Sequence, residues 1–386
     1  MSDLAAGAHL TDKATLTPIV RKLLANDAAV VVAATAQAIA GGYAAETVGG
    51  RGVYRVAGSA LVYGQIVDWS VVLKILGEAP GVGSHDVTAW NYWKREVLVY
   101  QSGLLSTLEG QFSAPRCIAV VDYPGNQYWV WLEDIADQTA IWSIDDYNCA
   151  ARHLGQFNGN YLVGRPLPNY PWLSKGRVRS WLEDAKPILD NLRPFLREAK
   201  RPHWLTEPQI ERVLALWANR ELLTGALDRL PRTFCHHDAF RRNLFAGSRK
   251  TGTSGTIAID WQIAGTGAVA EDIVPLVGIT LQFMNLEPAK LKDLEDAVLA
   301  GYIAGLQDAG WRGDERIVRF GYAAAAALFI GVATIGCWPS VAHESWYLAT
   351  ERAIGYPIDA IIANFGEMQD HFLDLGDQAL ELQELL

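Results

Sequence analysis

Hydrophobic positions follow two rhythms along the 386 residues, and the change comes near Ala136. Before it, residues 14–27 (ATLTPIVRKLLAND) set Leu16, Ile19, Val20, Leu23 and Leu24 at helical spacing, which predicts a short amphipathic helix. Short apolar runs follow, among them VVVAATAQAIAGG, VYRV and SVVLKIL, bounded by glycine clusters. That pattern predicts antiparallel strands joined by tight turns. Helical spacing returns over 88–108. PRCIAVVDY and QYWVWLEDI, separated by the turn signal Pro-Gly-Asn, then predict two further strands. Beyond Ala136 long helical patterns dominate at 143–162, 176–199, 207–229, 289–309 and 315–336, with one strand-rich island at 233–262. The expected organisation is α+β in two parts: a small sheet-rich front, 1–136, and a larger helical back, 137–386.

Composition changes this picture little. Half the residues are hydrophobic and 20% are charged, which suits a globular chain with a large core. A formal net charge of -10 argues against general nucleic-acid binding. Cys117, Cys149, Cys235 and Cys337 are far apart and form no metal-type pair, so they read as free thiols of a reducing, cytoplasmic compartment. The opening MSDLAAGAHLTDK carries Asp3 and Asp12 and no long apolar stretch, so no signal peptide is expected. Phe320–Ala342 has no charge and could span a bilayer by length. Its alanines and glycines are weakly lipophilic and Pro339 interrupts it, so burial in a helical core is expected and no membrane partner. The tail from Glu367 carries acids without Lys or Arg and predicts a solvated amphipathic helix.

Candidate chemistry concentrates in TFCHHDAFRRNLF, residues 233–245, and in the later TIAIDWQ. Two apolar strands that each end in an acid predict a hairpin gathering Asp238, Asn243 and Asp260 at one end. Carboxylate and amide oxygens are hard ligands that suit Mg²⁺ better than zinc.

HHDAFRRN followed by IDW resembles the catalytic loop and metal-binding segment of the aminoglycoside phosphotransferase and choline kinase family. His236, Asp238 and Asn243 fit its H-x-D-x-x-x-x-N form, with His237 where the family usually has glycine. The resemblance implies a bilobal protein-kinase-like fold, an antiparallel-sheet N-lobe and a helical C-lobe, using ATP and Mg²⁺. It implies Asp238 as the catalytic group, Asn243 and Asp260 as metal ligands, and His236 as a brace of the loop. It further implies Lys74 of SVVLKIL on the third strand at the α- and β-phosphates and Glu96 as its partner. Leu132, Glu133 and Asp134 of VWLEDI would form the hinge that holds adenine. The glycine-rich stretch 41–52 is flexible enough to approach phosphates but lacks protein-kinase spacing.

Only WQIAGTGAVAE separates Asp260 from Asp272, which leaves no room for a peptide-docking segment, so a small-molecule alcohol is the expected acceptor. Trp142, Trp172, Trp181, Trp204, Trp338 and Trp346 could stack on sugars or choline-like cations, and the acidic tail and AHESWYLATE could recognise amines. Asp272, three residues before Pro275, reads as a helix N-cap, and Arg241 and Arg242 as either phosphate-contacting or structural. Two other readings stay open: a metal phosphohydrolase built on the adjacent His-His-Asp, and a non-catalytic nucleotide-binding module.

Overall fold

A computed structural model describes residues 10–39, 52–78, 83–137, 139, 141–198, 205–248, 254–337 and 347–384. Most of the glycine-rich stretch 41–52, and Trp204, Trp338 and Trp346, lie outside them. The described strands are β1 Val30–Ala38, β2 Gly52–Val62, β3 Gln65–Gly77, β4 Phe112–Ser113, β5 Cys117–Tyr123, β6 Gln127–Glu133, β7 Arg232–Cys235, β8 Leu244–Ser248, β9 Ser254–Ala258 and β10 Gly265–Ala268. Contacts divide the chain into a unit of residues 1–85, 91–107 and 114–136 and a unit of 86–90, 108–113 and 137–386. The two short excursions are the difference from a single cut after 136. The class is the one expected, an antiparallel-sheet N-terminal region and a helical C-terminal part.

In the first unit, five antiparallel strands lie in the order β1-β2-β3-β6-β5. Tyr63 and Gly64 both take positive φ (49° and 83°) and close a two-residue turn between β2 and β3, which matches the twist of paired strands. Alternation along β3 sends Trp69, Val71, Leu73 and Ile75 into one apolar core. Helix α1, Lys13–Leu24, covers that core with Leu16, Ile19 and Val20. Its N-terminus is capped by the Asp12 carboxylate, which accepts from Thr15 N–H at 2.9 Å. Period two then places Lys74 on the other face of the sheet, opposite Val130. Over 88–108 only Arg95–Gln101 (α2) forms an α-helix. The Asp86 carboxylate instead accepts from Thr88 N–H and Oγ1–H, and that local turn replaces helix at 86–88.

In the second unit, the helices used below are α3 Ile144–Leu162, α4 Arg177–Leu189, α5 Leu192–Glu198, α6 Glu207–Ala218, α7 Arg220–Arg229, α8 Val274–Gln282, α9 Leu291–Asp308 and α10 Glu315–Ala326. A π-helical segment, Ala327–Ala333, continues α10, followed by α11 Thr334–Cys337, α12 Tyr347–Ile354 and α13 Ile358–Gln383. A reciprocal Ser143–Asp146 capping box starts α3. Helices α3 and α9 meet along glycines: a Cβ on Gly155 would stand 2.2 Å from Tyr302 O, and one on Gly305 would stand 2.0 Å from Arg152 O. Only glycine permits that separation. Over its described part the apolar run is buried as expected: Glu315–Ala333 is long and apolar enough to cross a membrane, yet 83% of the window is buried inside the chain, while Pro339 lies outside the described residues.

The tail differs from expectation. Helix α13 buries Phe365, Met368, Phe372 and Leu373, and Gln369 Nε2 donates to Gly331 O at 2.8 Å. Its acids are engaged too: Asp374 and Asp377 each take Arg212 at 2.7 Å, and Asp370 accepts from Gln209 at 3.0 Å. It is a core helix with a charged outer seam. Glu351 accepts from Ile358 N–H and so caps α13. Trp142 and Trp172 are buried among the chain's own rings.

Candidate active site

The first unit contributes an ion pair. Lys74 Nζ stands 2.5 Å from Glu96 Oε2, and the Glu96 side chain is 1% exposed. A carboxylate buried to that degree is tolerated only with a cation on it, so the pair fixes where the lysine head sits. At the end of β6, Leu132 is buried and registers with Val72 and Cys117, while Glu133 N–H donates to Arg116 O at 2.9 Å. The Asp134 carboxylate accepts from Arg55 Nε at 2.9 Å and from Ser70 Oγ at 2.5 Å. Sequence reasoning gave these three a hinge role. The structure gives Asp134 a bracing one, tying β2 and β3 to the end of β6.

The second unit contributes a loop whose polar atoms are nearly all assigned. Strand β7 pairs with β10, the chain crosses His236–Asn243, and the β8–β9 hairpin returns it to Asp260. His236 Nδ1 accepts from Asp238 N–H at 3.1 Å, so its proton lies on Nε2, which donates to Ile259 O at 2.9 Å. Burial depresses its pKa and keeps the ring neutral. This imidazole braces the loop and has no nitrogen left for a metal, which removes the basis of a His-His-Asp hydrolase centre.

Asp238 is gripped on both oxygens. Arg177 Nη1 donates to Oδ1 at 3.0 Å and Asn243 Nδ2 to Oδ2 at 2.8 Å. Burial pushes its carboxyl above the usual range; Arg177 opposes that shift, and the nearby charge of Asp260 adds to it. Asn243 Nδ2 also donates to Asp238 O at 3.0 Å, so the amide nitrogen is spent and the oxygen is what it can offer a cation. Asp260 takes φ 62°, ψ 65°, a left-handed conformation that aspartate tolerates better than most side chains. His237 has φ 64°, which is why glycine suits that position in related loops.

Two supports escaped the sequence reading. Asp272 is no helix cap: its carboxylate accepts from His236 N–H at 3.0 Å, His237 N–H at 2.6 Å and Asn158 Nδ2 at 3.2 Å. Asn158 in turn accepts from the Tyr302 hydroxyl at 2.9 Å, which ties the loop to α3 and α9. Arg177, at the start of α4, also donates to His237 O, and its guanidinium lies 4.4 Å from the Phe329 ring in the π segment. Nothing in SKGRVRS singles out Arg177, whereas the buried Asp272 could have been suspected from its apolar neighbours. Arg241 and Arg242 are structural. Arg241 bonds Asp137 at 2.7 Å and lies on Trp142; Arg242 donates to Ala353 O at 2.6 Å and to Ile354 O at 3.2 Å, at the end of α12.

The donor set fits a hard divalent cation. Asn243 offers an amide oxygen and Asp260 a carboxylate: Ile259 N–H donates to Asn243 O at 2.9 Å, and the Asp260 charge acts on Asp238. Residues 175–316 match the phosphotransferase enzyme family. That span carries Asp238, Asn243, Asp260 and both supports, Arg177 and Asp272, and leaves Lys74 and Glu96 outside. Over those residues the chain is similar to phosphotransferase enzymes.

Similar solved structures include a choline kinase from Cryptosporidium parvum Iowa II, 12% identical over 90% of each chain, TM-score 0.49. An amicoumacin kinase in complex with AMP-PNP, Ca²⁺ and Ami is 13% identical over 89% of this chain and 88% of that one, TM-score 0.48. An aminoglycoside phosphotransferase from Alicyclobacillus acidocaldarius is 14% identical over 91% and 93%, TM-score 0.47. No curated protein matches the chain.

Proposed function

We propose that this chain is a cytoplasmic ATP- and Mg²⁺-dependent O-phosphotransferase that moves the γ-phosphate to a hydroxyl of a small molecule, such as an aminoglycoside-like antibiotic, a sugar or an amino alcohol. One observation carries the reading: Asp238 is held by Arg177 and Asn243 in a buried loop that ends beside a second acid, Asp260. Phosphoryl transfer asks a protein mainly for positioning and charge neutralisation, and this loop is built for both. Asp238 orients the acceptor hydroxyl and takes its proton. Asn243 and Asp260 hold the cation, which when bound neutralises charge on the phosphate oxygens. Lys74, fixed by Glu96, holds the α- and β-phosphates, and the chain around Leu132, Glu133 and Asp134 receives adenine.

A small acceptor is supported by what fills the space between Asp260 and Asp272. Trp261–Ile263 is a single 3₁₀ turn and Gly265–Ala268 is strand β10 paired to β7, so no extended segment is left to dock a peptide. Free Cys117, Cys149 and Cys235 suit a reducing compartment.

The test is ADP release by the purified chain with ATP and Mg²⁺ across aminoglycosides, macrolides, simple sugars and amino alcohols. Release stimulated by at least one hydroxyl-bearing acceptor, and abolished by chelating the metal, is the expected result. Nucleotide binding with no acceptor-stimulated release across the panel would instead favour the non-catalytic module.

A further inference from the structure

We propose that Cys235, His237 and Asp272 form a zinc-type metal site behind the catalytic loop, separate from the donors assigned to Mg²⁺. The three residues are fully buried, and one ligand atom from each lies within 4.8 Å of the others. Ligands on tetrahedral zinc stand roughly 3.3–3.7 Å apart, given bonds of about 2.0–2.3 Å, so a small contraction of the cluster suffices. Thiolate, imidazole and carboxylate together make a borderline-soft set that favours zinc over magnesium.

Independent observations point to a ligand. His237 is 1% exposed, and its Nε2 has no hydrogen-bond partner among the described residues. The Thr266 backbone hydrogen-bonds the same ring, the kind of contact that orients a ligating imidazole. Cys235 Sγ makes a long contact to Thr233 O, 3.7 Å, and accepts from the Gly267 backbone N–H, which orients the sulfur. Gly267 keeps the cluster open: a Cβ there would stand 2.7 Å from His237 Cε1 and 3.0 Å from both Cys235 Sγ and Glu271 Oε2. The Glu271 Oε2 atom is itself buried and has no hydrogen-bond partner among the described residues, which makes it a candidate fourth donor. Asp272 retains capacity as well. A carboxylate has about four acceptor sites, and His236 N–H, His237 N–H and Asn158 use three.

Such an ion would cross-link the end of β7, the catalytic loop and the turn before α8. It also gives His237 a purpose at a backbone position that glycine would occupy more easily. The site stands apart from the phosphoryl-transfer reading, since it uses none of Asp238, Asn243 and Asp260.

The experiment is metal analysis of the full chain, purified without chelator, equilibrated with zinc and passed through gel filtration. About one zinc per chain is expected for the wild type, largely lost in Cys235→Ser and in His237→Gly. His237→Gly is the fold-safe variant, because φ 64° suits glycine. Cobalt in place of zinc should give the wild type a thiolate-to-metal absorption band in the near ultraviolet, absent from Cys235→Ser. Substoichiometric zinc in the wild type (an adventitious ion only), zinc retained by both variants, or cobalt bound without the thiolate band would each overturn the proposal. Retention in Cys235→Ser alone would overturn it as well, since the ion would then not use the thiolate.

Discussion

At the residue scale, the site rests on a balance at Asp238. Burial favours its neutral form, while Arg177 at 3.0 Å favours the carboxylate that a hydroxyl-orienting group must be. Arg177→Gln removes the opposing cation, so the carboxyl should climb further above the usual range. A base works ionised and fails as pH falls through its pKa, so a higher pKa moves that failure upward. The acid limb of the kcat/KM profile should therefore shift to higher pH in Arg177→Gln, and an unchanged limb would show that Arg177 only packs. The loop's own members were legible because H-x-D-x-x-x-x-N is a local string. Arg177 lies 61 residues before Asp238 and Asp272 lies 36 after His236, and no local spacing carries contacts of that reach. Pro275 is visible in the sequence and suggests a cap at Asp272, whereas the loop amides that bind its carboxylate are not.

At the element scale, the glycine seam between α3 and α9 decides how closely the loop's supports approach. Alanine is better than glycine in a helix by about 1 kcal/mol. At Gly305 a Cβ would sit 2.0 Å from Arg152 O, and overpacking of that kind costs about 1–3 kcal/mol or more, so the clash wins. Gly305→Ala should lower the thermal midpoint. Gly225→Ala in α7, where nothing lies within 4 Å, should raise it. Equal responses in thermal denaturation would contradict the seam. The long helices were legible from periodicity, and 176–199 and 207–229 each proved to be two helices broken at Asp190 and Asn219. Residues 88–108 show the limit: Trp90 Nε1 donates to Asp184 at 2.6 Å, and that tertiary contact together with the Asp86 turn overrides helical spacing. The π segment had no sequence signal beyond its apolarity, yet its Phe329 supports the guanidinium that holds Asp238.

At the scale of the whole molecule, the α+β division was legible because period two and period 3.6 change over near Ala136. The reaction proposed here draws on both units, and Lys74 tests the first of them. Removing its charge takes the cation away from the buried Glu96 carboxylate, so Lys74→Met should cost about 3–5 kcal/mol in chemical denaturation. Lys74→Met with Glu96→Gln should regain most of that stability while ATP use stays low; recovery of both would reduce the lysine to a structural role. The central claim concerns Asp238, and the most direct measurement is the single-turnover rate of γ-phosphate transfer from labelled ATP to the best acceptor of the panel. Asp238→Asn should remain folded and transfer about a thousandfold more slowly or worse. Transfer within about tenfold of the wild type would contradict the account.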